Sequence, residues 1–245
     1  MLKAFGITDR GAVRKENQDC FRFEADPGGE LLTAVLCDGM GGAKAGAVAS
    51  SLAVDMFMCH AVNSLDESST GADIREILAE AVSFANTRVY ERSFSDYSCM
   101  GMGSTLVALA VAGKRAYIAN VGDSRAYLFA KNTLTQITRD HSLVEDMVAR
   151  GKLSPEAARN HPRRNIITRA VGVDASVRAD IFEQRFLPGM KFLLCSDGLS
   201  NAVEDIEICR VLAESKEPEP ACRELLDLAL RNGAPDNVTA LLAQR

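Results

Sequence analysis

Apolar runs of strand length alternate with longer stretches of helical periodicity along this chain. Residues 2–8, LKAFGIT, predict a first strand closed by the turn Asp9-Arg10-Gly11. Cys20 to Phe23 and Leu31 to Leu36 flank Asp26-Pro27-Gly28-Gly29, a strong turn signal, so the two runs predict a hairpin. Leu31 to Leu36 is mostly apolar rather than alternating, which is the pattern of a strand buried on both faces. Cys37 follows, and Asp38-Gly39 reads as the turn that ends the strand. Residues 44–60 place Val48, Leu52, Met56 and Cys59 at helical spacing, and small residues beside them would let that helix lie close on a sheet. After a polar connection, residues 72–92 predict a second helix with Ile74, Leu78, Val82 and Val89 on one face. Ser93 to Met102 is expected to be irregular.

Four further apolar runs follow: STLVALAVAG, KRAYIANVG, RAYLFA and TLTQIT. Their tight joints at Ala112-Gly113 and Gly122-Asp123-Ser124 predict an antiparallel meander. Residues 140–172 are polar, with one helix near Ser142 to Arg150 and another beginning at Ser154-Pro155-Glu156, so they read as an insertion over the edge of a site. Strands are expected again at 179–186 and 191–196, helices at 204–213 and 219–231, and a last strand at VTALLA. With no internal repeat and no low-complexity linker, residues 1–245 are expected to form one domain. Its class would be α+β, a four-layer α/β/β/α sandwich of two packed antiparallel sheets flanked by helix pairs.

Composition narrows the function. A net charge of -5 and a pI near 5.4 argue against nucleic acid as the main partner. No apolar run is expected to cross a bilayer, and MLKAFGITDRG lacks the order of a signal peptide, so no membrane anchor and a cytoplasmic location are expected. The seven cysteines form no CxxC pair, and several sit in apolar runs as small hydrophobes. His60, His141 and His161 share no ligand spacing, which disfavours a histidine metal site or a Ser-His-Asp triad.

Aspartates carry the chemistry. Phe192 to Gly198, FLLCSDG, repeats the pattern of the central run, an apolar strand delivering Asp197-Gly198. Asp19 and Asp236 share that context, the latter directly before the last strand. Carboxylates brought together at strand ends repel one another unless cations neutralise them, and oxygen donors select hard ions such as Mg²⁺ or Mn²⁺. Asp-Gly and Asp-Asn are also ordinary turn formers, and for any one of these pairs that is the simpler reading.

Eight motifs then occur in order: TDRGAVRKENQD (8–19), DGMGG (38–42), MGSTLVA (102–108), NVGDSRAYL (120–128), RDHSLVEDMVARG (139–151), NHPRRNIITRAVG (160–172), LLCSDGLSNAV (193–203) and GAPDNVTAL (233–241). Together they resemble the metal-dependent Ser/Thr protein phosphatases of type 2C, most closely the compact bacterial members, from about residue 5 onward. The resemblance implies a phosphoserine and phosphothreonine phosphatase that attacks phosphorus in line with a metal-bridging hydroxide. It implies two Mn²⁺ or Mg²⁺ ions: Asp38 bridging both, the Gly39 carbonyl on one, Asp197 and Asp236 on the other, and Asp19 serving the second directly or through water. A third ion would use Asp123 and Asp197, although Asp123 also fits a plain hairpin turn. Arg14 would hold the substrate phosphate as a bidentate fork. Residues 140–172 would be the family's variable flap, where Arg159, Arg163, Arg164 and Arg169 could meet acidic or phosphorylated surfaces. Ala43 and Ala47 stand where many bacterial relatives have His and Glu. The group that protonates the leaving alkoxide stays open between a metal-bound water, His141 and His161. Expected partners are phosphorylated proteins, a Ser/Thr kinase among them, with the chain acting as a monomer.

Overall fold

The computed structural model describes residues 2–26, 28–42, 44–159 and 161–245, without the Arg159 side chain; Ala43 and that side chain therefore lie outside the described residues. The chain opens with β1 (Lys3–Asp9), β2 (Asp19–Ala25) and β3 (Leu31–Met40), then two long helices, α1 (Ala45–Ser64) and α2 (Gly71–Ser95). Four strands follow: β4 (Gly103–Ser104), β5 (Leu106–Ala112), β6 (Arg115–Val121) and β7 (Arg125–Ala130), with the short β8 (Thr133–Gln136) after them. The insertion carries α3 (Leu143–Ala149) and α4 (Pro155–Arg159). Then come β9 (Asp180–Arg185), β10 (Lys191–Cys195), α5 (Asp197–Ala202), α6 (Asp205–Glu214), α7 (Pro218–Arg231) and β11 (Val238–Gln244).

Two antiparallel sheets are stacked, one ordered β1-β11-β10-β7-β8 and the other β2-β3-β5-β6-β9, with β4 paired to the end of β3. Three apolar layers hold them. Leu32, Leu36, Leu109, Phe192, Leu194 and Leu241 fill the space between the sheets. Val35, Ala108 and Ala119 face α1 and α2 on one outer side, while Leu193, Ala240 and Leu242 face α5, α6 and α7 on the other. The central strands are therefore covered on both faces, which is why β3, β5 and β11 read as continuous apolar runs. Local signals set the helix starts: Thr70 and Asp73 form a capping box on α2, and Pro218 sits in the first turn of α7. The α+β sandwich is the predicted one.

Four local expectations are corrected. Asp38-Gly39 does not end β3; the strand continues to Met40 because Gly39 and Met40 pair with Ser104 and Gly103 of β4. Gly122-Asp123-Ser124 is not a hairpin turn, since β6 pairs with β5 and β9 while β7 pairs with β8 and β10. The chain crosses from one sheet to the other at Asp123, so the expected meander is broken there. Asp197-Gly198 opens α5 rather than a bare turn. Finally, α1 is by length and hydropathy apolar enough to span a bilayer, but half of that window is buried; Ala49, Ala53 and Phe57 make it a core helix packed on β3.

Candidate metal centre

The register of β2 on β3 sets Asp19 directly opposite Asp38. Opposed residues of an antiparallel pair share a face with Cβ atoms about 4.5–5.5 Å apart, so two carboxylates are forced into proximity by pairing alone. The other sheet supplies Asp197, just past β10, and Asp236, just before β11. These two strands are paired up to Cys195↔Ala240, so the chain leaving one lies beside the chain entering the other. A side chain at Gly198 would meet the Asn237 carbonyl at 1.9 Å, a measure of how closely the two segments approach. Asp123 joins from the crossover.

Hydrogen bonds fix the backbone around these groups. The Asp38 N–H donates to Thr105 Oγ1 at 2.9 Å, and Thr105 shares a 2.7 Å bond with Ser124, tying β3 to the crossover. Asn237 is buried; its amide nitrogen donates to the Arg10 and Glu16 carbonyls at 2.9 Å each, and its Oδ1 accepts from the Gln18 N–H at 2.8 Å. That one side chain clamps the loop carrying Arg14 against the entry to β11. Asp19 Oδ2 accepts from Ser196 Oγ at 2.7 Å and Thr239 Oγ1 at 2.6 Å. Gly39 has no room for a side chain, because a Cβ there would lie 2.0 Å from the Gly46 carbonyl oxygen.

Asp38, Gly39, Asp123, Asp197, Asp236 and Arg14 line one cavity of about 230 Å³, with Asn165 and Ile167 of the insertion closing a side. Burial pushes Asp38 well above the ordinary carboxylate range, and the negative charges of Asp19, Asp197, Asp123 and Asp236 push further. Burial likewise raises Asp19 to about 6, against the two hydroxyl bonds, and Asp123 to about 6, helped by Asp140. Asp197 rises to about 8 through burial and then Asp123, Asp236 and Asp19. Uncompensated carboxylates of this kind are what hard cations neutralise.

The donor set fits such ions. Asp19 Oδ1 and Asp197 Oδ1 are buried without a hydrogen-bond partner, a state that costs free energy unless something positive answers it. All donors are oxygens, which excludes a soft thiolate site. Among the described residues no three acidic, histidine or cysteine side chains are gathered tightly enough to hold an ion as a group by themselves. That agrees with Mg²⁺ chemistry, where one or two carboxylates per ion suffice and waters complete the shell.

Every aspartate named from the sequence reaches this neighbourhood: four line the cavity, and Asp19 lies beside Asp38 under it. Arg14 arrives too, but engaged: its Nη2 donates to Asp236 Oδ2 at 2.7 Å, and Asp236 is first among the causes that raise the arginine's pKa. His141 is buried, accepts from the Gly122 N–H through Nδ1 at 3.0 Å, and so presents its Nε2 proton to Asp180 at 3.1 Å. Both ring nitrogens are engaged in holding the base of the insertion. His161 Nδ1 accepts from the Arg163 N–H at 3.1 Å. Arg169 is bonded to the Arg178 carbonyl and to Asp180, which removes it from the set of free flap arginines. Sequence reasoning missed Asn237, Thr105, Ser196 and Thr239. Each sits inside a motif named above, but only the fold shows that they are buried and what they hold.

Five carboxylates and an arginine thus gather at one edge of a four-layer sandwich, an oxygen-rich donor set of the kind hard cations take. Residues 12–242 match the family model for protein phosphatase 2C. The chain belongs to that family. It is 38% identical over 238 residues to the serine/threonine phosphatase stp of Listeria welshimeri, covering 97% of this chain and 94% of that protein. Its fold is similar to the crystal structure of Stp1 from Staphylococcus aureus, with a TM-score of 0.91, 38% identity and coverage of 100% and 95% of the two chains. The catalytic domain of the phosphatase PstP, solved in complex with two manganese ions, matches with a TM-score of 0.84 and 37% identity, covering 99% of this chain and 97% of that one.

Proposed function

We propose that this cleft hydrolyses phosphoserine and phosphothreonine esters of proteins, with two divalent cations held by its aspartates. The observation that carries the reading is the convergence of Asp38, Asp197 and Asp236 beside Arg14 in one cavity of a protein phosphatase 2C chain. Asp38 would serve both ions and the Gly39 carbonyl one of them; Asp197 and Asp236 would hold the other, with Asp19 supporting the second from beneath. Asp123 with Asp197 would offer a third position. The bound cations supply charge neutralisation at phosphorus and activation of water near neutral pH.

The chain's own residues do the rest. Arg14 is half exposed at the cavity mouth and can turn its remaining N–H groups to a phosphate while still touching Asp236. Thr105 and Ser104 hold the Asp38 backbone, and Asn237 fixes the Arg14 loop, so the phosphate site and the cation site are set relative to each other before substrate arrives. With both nitrogens of His141 engaged, the proton for the leaving alkoxide is left to water in the cleft or to His161, whose Nδ1 accepts from the Arg163 N–H. The physiological setting is a cytoplasmic monomer that reverses the action of a Ser/Thr kinase.

The test is hydrolysis of a phosphothreonine peptide and of p-nitrophenyl phosphate with Mn²⁺, Mg²⁺ or EDTA, for the wild type and Asp38→Asn. Turnover that needs metal and collapses in the variant supports the reading. A folded wild type that turns over neither ester with either metal overturns it.

A further inference from the structure

A second and larger cavity, about 680 Å³, adjoins the first between the insertion and the start of α6, and the two share Asp123, Asn165 and Asp197 as common walls. Its size is that of a pocket able to enclose several side chains. Its lining holds seven carboxylates against two arginines. Arg125 is already committed, chelating Asp140 through Nε and Nη2 with its best contact at 2.8 Å. Glu145 is paired outward to Arg139 at 3.0 Å. On the facing wall, Asp205 meets the Tyr127 hydroxyl at 3.4 Å. Glu204 and Glu207 stand one helical turn apart at the head of α6, and the Glu204 side chain makes no cap bond. Neither glutamate is ion-paired among the described residues. At the junction of the two cavities, Asp197 Oδ1 is buried and unpartnered.

Resting on the phosphatase reading above, the geometry points to this groove as the seat of the substrate chain flanking the phosphorylated residue, selective for lysine or arginine there. A phosphoester seated in the smaller cavity must lead its polypeptide out past one of the cavity's walls, and along the wall formed by Asp123, Asn165 and Asp197 it would pass into the larger concave groove rather than onto flat surface. With Asp123 and Asp197 answered by the cations, Asp140 by Arg125 and Glu145 by Arg139, the groove still sets Glu204, Asp205 and Glu207 against Arg164, an acidic balance that favours basic side chains over acidic ones. Glu204 and Glu207 are the residues free to pair with them.

The experiment compares phosphothreonine peptides of equal length carrying two arginines, two alanines or two glutamates on either side of the phosphothreonine. Assays use the Mn²⁺-loaded wild type and Glu204→Gln/Glu207→Gln. With exposed ion pairs contributing about 0.2–1 kcal/mol each, the arginine peptide on the productive side should exceed the alanine peptide about two- to thirtyfold in kcat/KM, mainly through KM. The glutamate peptide should fall below both, and 0.5 M salt should compress the series. In the double variant the arginine advantage should shrink to near unity while p-nitrophenyl phosphate turnover stays at the wild-type rate. Equal rates for all three flanks, or a preference that survives the double variant, would overturn the assignment. Loss of turnover on every ester would instead strike the phosphatase reading itself, so the two failures are distinguishable.

Discussion

Replacing Asp19 by asparagine should stabilise the metal-free protein and weaken its response to metal. Asp19 is buried, faces Asp38 across the β2–β3 pair, and has its carboxyl raised from 3.8 to about 6. A folded-state pKa above the unfolded value means the folded form holds the proton more tightly. Stability from this group is therefore full below pH 3.8, falls through the window between the two values, and stays low above it. Two units correspond to about 3 kcal/mol at pH 8, of which about half is already lost at pH 5. Asparagine keeps an oxygen for the Ser196 and Thr239 hydroxyls and can donate its amide toward Asp38, so it mimics the protonated acid. The variant in EDTA should unfold about 6–12 °C above wild type at pH 8, with about half that difference at pH 5. Saturating Mn²⁺ at about 100 Kd should raise the wild type by about 2.7 kcal/mol and the variant by less. Thermal unfolding in EDTA and in Mn²⁺ at the two pH values reads all of this. A variant no more stable than wild type in EDTA at pH 8, or a difference independent of pH, would refute the claim that Asp19 is held against its own electrostatics.

Arg14→Ala should lower kcat/KM for phosphopeptides about 10- to 100-fold, the effect of removing a charge-assisted phosphate contact, with Arg14→Lys between the two; steady-state kinetics on one peptide decides it. Gly39→Ala should cost about 3 kcal/mol, because the new methyl would lie 2.0 Å from the Gly46 carbonyl oxygen, and a urea titration would show the midpoint drop. Asn237→Ala should destabilise by about 2–4 kcal/mol and depress activity even at saturating metal, since it strands the Gln18 N–H and the Arg10 and Glu16 carbonyls. His141→Gln should lower the unfolding temperature while leaving the shape of the pH–rate profile unchanged; a lost limb in that profile would instead make the histidine a proton donor.

What the sequence displayed of this fold was what depends on local pattern. Continuous apolar runs marked β3, β5 and β11 because sandwich strands are covered on both faces, and Ser154-Pro155 marked the start of α4. What depends on partner choice was not visible. Gly122-Asp123-Ser124 has the chemistry of a hairpin turn, yet the strands it joins belong to different sheets, a decision made by the pairing of β6 with β9 and of β7 with β10. The end of β3 was misplaced for a similar reason: Gly39 and Met40 are extended only because β4, more than sixty residues on, pairs with them. For the site, strand-end aspartates before glycine or asparagine named Asp38, Asp197 and Asp236, while Asp123 came only with the family resemblance. The groups that hold them could not be named, since a buried Asn or Thr looks in sequence like any other loop residue.

The corrected crossover also bears on what Asp123 is for. In a hairpin it would sit at an exposed turn, and its carboxylate would need no explanation beyond turn propensity. At a passage between sheets it is instead delivered to the same sandwich edge as Asp38 and Asp197, and it walls both the small cavity and the acidic groove. Burial and Asp140 raise its pKa, so its placement opposes stability rather than serving it. The same is true of Asp19, Asp38 and Asp197. Repulsive carboxylates gathered from β2, β3, the crossover and the end of β10 form an arrangement that folding energetics alone would not select. A cation-dependent function accounts for all of them at once, whereas turn chemistry accounts for them only one at a time.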